Sequence, residues 1–148
     1  MDHAETGEST GIAKLPLVAS IVALAGLADA VYLTVHHITA EPVPCNVFSG
    51  CETVLTSQYA EFQGIPLAAF GAVAYFVAFA LAILTAFGNR TLWKVFGVQV
   101  VLMSVFTVCL LYLQAYVIGA FCQFCLISAV TTFTMLVIFV VSVFLRRR

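Results

Sequence analysis

Charged side chains are scarce in this chain. Six Lys and Arg and seven Asp and Glu make up 9% of its 148 residues, against about 25% in an ordinary soluble domain. So few charges cannot coat a globule of 15.9 kDa that must stay dispersed in water, which excludes a soluble enzyme with a polar shell. Basic clusters are missing apart from Arg146, Arg147 and Arg148 at the tail, and the net charge is −1; nucleic-acid binding is excluded on the same ground. The polar lead, residues 1–13, holds Asp2, Glu5 and Glu8 but no arginine. It lacks the character of a transit peptide and reads as a disordered cytoplasmic segment without chemistry. No internal repeat is visible, and the length allows one domain.

What the chain has instead is apolar residues, 63% of the total. They fall into four runs, at about 15–38, 66–87, 92–117 and 121–145, each close to or above the ~20 residues that cross a bilayer as a helix. The first run is too long for a signal-peptide core and has no small-x-small cleavage site, so it reads as an uncleaved span. The expected fold is therefore all-α: an integral membrane four-helix bundle over 14–146, with 147–148 as a basic tail. Turn signals agree with these boundaries: Glu41-Pro-Val-Pro44, Gly64-Ile-Pro66 and Phe87-Gly-Asn. Lys14, Arg90, Lys94 and the Arg triplet all lie on one side, whereas the loop 39–65 has no basic residue and carries Glu41, Glu52 and Glu61. The positive-inside rule then puts both termini in the cytoplasm and the loop outside. A plasma (inner) membrane with a periplasmic or exterior loop is expected.

Four of the five cysteines are on that outer side. Cys122-Gln-Phe-Cys125 sets two thiols at i and i+3 on one face, at the outer N-terminal end of span four, where the helix dipole favours a thiolate. One thiol can attack a disulfide while its neighbour resolves the adduct. Cys45 and Cys51 lie in the outer loop, where an oxidising compartment favours a disulfide and Ser49-Gly50 allows a tight closure. A half-helix after Cys51, with Val54, Leu55, Tyr59 and Phe62 as its apolar face, is expected to form a lid that brings Cys51 above Cys122. Two static pairs, or zinc held by four thiolates, use the same residues. Structural zinc usually sits in a closed soluble site, and this loop offers no histidine or basic support, so no metal is assigned.

The loop Cys-x5-Cys, then Ser57, Gly64-Ile-Pro66 and Phe70-Gly71 opening the next span, then Cys-x-x-Cys at the start of span four, resembles the vitamin K epoxide reductase family. Gly26-Leu-Ala-Asp-Ala-Val-Tyr32-Leu33-Thr is similar to that family's first helix, and the likeness runs from about 15 to 145. DsbB-type quinone reductases carry the two cysteine pairs in the opposite order. The resemblance implies a prokaryotic-type homologue in which Cys122 and Cys125 are the catalytic pair beside a quinone, with Cys125 nearest the ring. It further implies that Cys45 and Cys51 shuttle electrons from a thioredoxin-like partner, that Ser57 supports the loop, and that the net reaction makes disulfides. Because the chain ends soon after span four, a fused thioredoxin-like domain is not expected and the partner should be a separate, DsbA-like protein. At the positions where animal members hold an Asn and a Tyr against the quinone carbonyls, this chain has Leu67 and Ala129. Neither donates a side-chain hydrogen bond, which favours plain reduction of menaquinone or ubiquinone, or of a vitamin K-type naphthoquinone, over epoxide reduction. The competing class is a non-enzymatic four-span scaffold with structural disulfides.

Other residues offer less. Tyr112 and Tyr116, with Gln114, are candidates to hydrogen-bond a quinone in place of the missing pair, or else form an interfacial belt. Phe121 and Phe124 bracket the Cys-x-x-Cys and are candidates to stack on the ring. Asp29 is the one carboxylate inside a span, where lipid exposure costs about 3 kcal/mol; proton transfer and a buried structural hydrogen bond both account for it. His36 and His37 read as interfacial anchors, and Cys109 as a small buried hydrophobe.

Overall fold

The structure is a computed structural model that describes the backbone from Glu5 and the side chains from Lys14 to Arg148. Its elements in chain order are α1 (Glu5–Thr39), α2 (Cys51–Leu55), β1 (Glu61–Phe62), β2 (Ile65–Pro66), α3 (Leu67–Ala86), α4 (Leu92–Tyr112), a π-helical segment (Leu113–Ile118) and α5 (Gln123–Arg147). Among the described residues, four helices are long and apolar enough to cross a membrane: Lys14–Thr39, Leu67–Ala86, Leu92–Ile118 and Gln123–Arg147. The protein is an all-α four-helix membrane bundle. Span four begins after Cys122, which leaves that cysteine just outside it. The lead expected to be disordered differs from Glu5 onward, where it continues α1; residues 1–4 lie outside the described residues. Extending a formed helix costs far less than nucleating one.

The helices pack in a ring, α1 on α3, α3 on α4, α4 on α5 and α5 on α1. Small residues let α1 and α3 approach closely: Ala19, Ala23 and Ala30 on α1 and Ala78 and Ala82 on α3 are all buried. Large apolar side chains such as Ile21, Phe76, Val98 and Val130 face outward, as a lipid-facing surface requires. At the end of the bundle away from the cysteine pairs, Trp93 stacks on Phe96 at 4.6 Å and its indole N–H donates to Ser142 Oγ at 2.7 Å. At mid-bundle the Tyr75 hydroxyl lies within 2.9 Å of the hydroxyls of Ser128, Thr131 and Thr132, tying α3 to α5.

Tyr75 is held against Gly26, where an added Cβ would stand 2.2 Å from the ring. Because hydrogen bonds pin that ring, it has no room to yield. Gly26→Val is expected to destabilise the bundle by about 1–3 kcal/mol, read as an earlier thermal unfolding midpoint in detergent. Gly71→Ala is the control, since its Cβ would meet nothing closer than Ala30 Cβ at 3.9 Å.

The segment between α1 and α3 departs from its expected form in two ways. The lid helix ends at Leu55, so only Val54 and Leu55 of its expected face belong to it. The chain then forms a two-stranded hairpin, with Phe62 opposite Ile65. Gln63 (φ 53°) and Gly64 (φ 80°) both take positive φ, the geometry that matches a two-residue turn to strand twist. Phe62 is exposed and packs edge-on against Phe70 at 6.3 Å. His37 Nε2, at the end of α1, meets Glu61 Oε1 at 2.6 Å and so fastens the hairpin to the bundle.

Candidate active site

Cys45 and Cys51 form a disulfide with their Cα atoms 6.2 Å apart. Three contacts seat this loop on the start of α5. The Asn46 and Val47 N–H groups donate to Gln123 Oε1 at 3.2 and 3.0 Å, so a residue inside the Cys-x-x-Cys holds the loop. Gly50 lies flat against the turn before α5: a Cβ there would stand 2.7 Å from the Phe121 carbonyl oxygen. Cys51, Val54 and Cys122 then form a single buried apolar cluster, with both of those cysteines fully shielded from solvent. On the loop itself, Glu52 Oε1 accepts the Val43 N–H at 2.9 Å and the Ser57 hydroxyl donates to the Val54 carbonyl at 2.7 Å.

Cys122 is the N-cap of α5, in an extended conformation (φ −102°, ψ 123°). Its N–H donates to Gln114 Oε1 at 3.2 Å. Gln114 reaches this position because α4 ends in the π-helical segment, which turns Gln114 inward before Gly119 stops the helix at φ 72°. A hydrogen bond from the Cys125 thiol, aided by backbone N–H groups of Cys125 and Phe124, pulls the Cys122 thiol down to about 7 against the opposing effects of burial and the Asp29 charge. An ordinary cysteine ionises near ~8.5. In the protein with its loop disulfide intact, the thiolate ultraviolet absorbance lost in Cys122→Ala is therefore expected to titrate with a midpoint near 7. Ionised Cys122 is the minor form below that pH and the major form above it. Cys125→Ala removes the hydrogen bond that does most to lower the value, so the midpoint should move up.

Cys125 faces a different environment. It lines a cavity of about 570 Å³ enclosed by α1, α3, α4 and α5 and roofed by Val54, Leu55, Ser57 and Tyr59. The walls are mostly apolar, among them Leu33, Leu67, Phe106 and Ala129, and the volume is that of a small-molecule site. Phe70, Leu102 and Phe106 line the cavity and are also exposed on the outside of the bundle, so it opens sideways between α3 and α4, on the lipid-facing side. One cysteine of the pair thus meets the loop disulfide and the other meets a lipid-accessible apolar cavity.

A profile of the vitamin K epoxide reductase family matches residues 17–140. The chain belongs to the vitamin K epoxide reductase family. It is also similar to the protein of Arabidopsis thaliana named Thiol-disulfide oxidoreductase LTO1, 31% identical over 116 residues that make up 72% of this chain and 31% of the relative. The chain thus spans about a third of the length of that curated relative. Leu67 and Ala129 both line the cavity. Ser57 lies at its roof.

The four aromatic candidates for quinone contact are not on the cavity lining. Tyr112 and Tyr116 are exposed and lie 5.0 Å apart on the outer face of the bundle; Phe121 sits against Phe48 at 6.4 Å. Phe124 packs on Tyr32 at 5.2 Å and on the cysteine cluster. Cys109 is exposed on α4 rather than buried, and so faces lipid. Gln114, Gln123 and Gly50 have roles that the sequence did not suggest: Gln123 and Gly50 act through contacts made only when the loop docks on α5, and Gln114 through the π-helical turn that brings it to the Cys122 N–H.

Proposed function

We propose that the protein is a membrane thiol-disulfide oxidoreductase that takes electrons from a thioredoxin-like protein in the exterior compartment and delivers them to a membrane quinone. The observation that carries this reading is the division of the Cys-x-x-Cys, with Cys122 buried against Cys51 and Cys125 on the wall of the apolar cavity. A reduced partner attacks the loop disulfide at Cys45 and leaves with its own disulfide, so that Cys45 and Cys51 become thiols. Cys51 then attacks Cys122 of an oxidised Cys122–Cys125 pair, Cys125 departs as a thiolate, and Cys45 closes the loop disulfide again. The inner pair is left as a dithiol. A bound quinone supplies a sink for two electrons and two protons, and re-forming the Cys122–Cys125 disulfide returns the protein to its starting state.

The cavity walls hold an aromatic head group by apolar contact, and Leu67 and Ala129 add no side-chain donor, which supports menaquinone or ubiquinone over an epoxide as the substrate. The sideways opening suits a substrate that arrives within the bilayer. Basic residues at the opposite end support cytoplasmic termini and an exterior redox loop in the plasma membrane. The test is anaerobic mixing of fully reduced protein with a soluble quinone, with thiol counting alongside quinone absorbance. The expected result is loss of two thiols per quinone consumed in the wild type and no quinone loss in Cys125→Ala. A folded, reduced protein that leaves the quinone untouched would instead favour a scaffold with structural disulfides.

A further inference from the structure

Beyond the four cysteines, we infer that Asp29 is the proton-transfer group of the cavity, taking the thiol proton at Cys125 Sγ and releasing it to the oxygen of the quinone being reduced. The inference rests on the quinone reading above and adds a residue to it. Asp29 lies on the α1 wall and Cys125 on the α5 wall of the same cavity. The Asp29 Oδ2 atom is buried and has no hydrogen-bond partner among the described residues. A carboxyl retained in a span for structural reasons would use both oxygens in the bundle; here one is left free at a cavity built for a ligand.

The other titratable groups facing the cavity are His37 on α1, Tyr59 in the roof, Tyr75 on α3 and Cys125 on α5; the α4 wall contributes none. Tyr75 is committed to hydroxyls of α5. No lysine or arginine lines the cavity, so nothing there holds Asp29 permanently ionised in an ion pair. Asp29, Leu33 and His37 follow at i, i+4 and i+8 along one wall, which sets His37 about 12 Å above Asp29. His37 also lines a separate, more polar outer depression and meets Glu61 there, so at His37 the cavity wall reaches the exterior-side polar groups.

The balance closes on these groups. The Cys122–Cys125 dithiol gives up two electrons as its S–S bond forms and two protons as its S–H bonds break. A quinone taken to its hydroquinone accepts both electrons and two protons. Asp29 carries the Cys125 proton, and the proton that Cys122 lost to exterior water is replaced by one that water brings in from the exterior side, past the cavity's polar rim at Ser57, Tyr59 and His37. Asp29 takes and returns a proton in each turnover and is unchanged at its end.

The test compares wild type, Asp29→Asn and Asp29→Glu, each pre-reduced and mixed with a soluble naphthoquinone in a single turnover, alongside the thiolate titration of Cys122 without quinone. Asp29→Asn is expected to slow quinone reduction about a hundredfold, the low end of what a positioned acid–base group contributes, and Asp29→Glu to restore much of the rate. Removing the Asp29 charge should also move the Cys122 midpoint down, a readout that needs no quinone. A second measurement covers an Asn variant that fails to fold: infrared spectra of the wild type followed in time through the single turnover should show a deuterium-sensitive protonated-carboxyl band that rises and then decays. A wild type that reduces quinone while Asp29→Asn matches its rate, or whose spectrum lacks that band, overturns the role of Asp29 and leaves the quinone reading standing. A wild type that reduces no quinone overturns both.

Discussion

Replacing Cys125 by serine is expected to cut quinone reduction by at least about a thousandfold and, in the same molecules, to trap a disulfide between Cys51 and Cys122. Replacing Cys122 by serine should cut the overall reaction as deeply and trap nothing between the loop and α5. The asymmetry comes from the surroundings of the two sulfurs. Cys122 is buried in one cluster with Cys51 and is held near neutrality by the hydrogen bond from Cys125 and the helix N–H groups, so it is the sulfur placed to exchange with the loop. Cys125 lines the cavity and in the wild type is the α5 thiolate able to displace Cys51 from Cys122 again. Without it, Cys122 bonded to Cys51 has no neighbour on α5 to displace it, and Cys45 is left as a free thiol. Serine in place of Cys125 can still donate a hydrogen bond to Cys122, so the trapped species should form at neutral pH. Non-reducing peptide mapping by mass spectrometry reads the outcome directly. A Cys51–Cys122 peptide in Cys122→Ser is impossible by construction, so its absence from Cys125→Ser as well would mean that the two pairs do not communicate and that the cluster is only packing.

The parts of this site that were legible in the sequence are those that depend on spacing and overall hydropathy. Four apolar runs became four spans because a bilayer imposes a length on each. The cysteine pairs announced themselves by local spacing, i to i+3 in one case and a six-residue loop in the other. What a nearly all-apolar helix does not display is its rotation about its own axis, since without a polar face there is no periodicity to read. Tyr112 and Tyr116 show the consequence. They share a face one turn apart, but the π-helical segment that starts at Leu113 turns Gln114 inward and leaves both tyrosines outside. The short lid was overestimated for a related reason. Tyr59 and Phe62 continued an apolar pattern, yet positive φ at Gln63 and Gly64 made a hairpin and sent Phe62 to the surface. The Gln123 contacts join residues 76 and 77 positions apart, beyond the reach of any local rule.

Gly50→Ala is expected to separate the two halves of the reaction, slowing electron transfer from the loop to the inner pair about a hundredfold while leaving chemically reduced Cys122 and Cys125 as fast toward quinone as in the wild type. The φ of Gly50 is −91°, so alanine meets no backbone strain there and the effect is one of contact alone. An added Cβ would stand 2.7 Å from the Phe121 carbonyl oxygen, 2.9 Å from the Phe121 nitrogen and 2.9 Å from Ala120 Cβ. Two of those three atoms are backbone, held by the left-handed Gly119 turn and by the Ala120 N–H donated to the Gln114 carbonyl at 3.1 Å. They cannot yield cheaply, so the loop must lift instead. Cys51 is the next residue, and a shift of order 1 Å between reacting groups costs up to about a hundredfold in rate. The cavity lies on the other side of Cys125 and contains no atom of Gly50, so the quinone half-reaction should be spared. Stopped-flow mixing of the variant with a reduced thioredoxin-like protein, against direct reduction by a small dithiol, distinguishes the halves. Gln123→Leu should act in the same direction, because it removes the acceptor for the Asn46 and Val47 N–H groups while adding no bulk at Gly50. If in both variants electrons pass from the partner through the loop to Cys122 and Cys125 at the wild-type rate, docking of the loop on α5 does not control the relay.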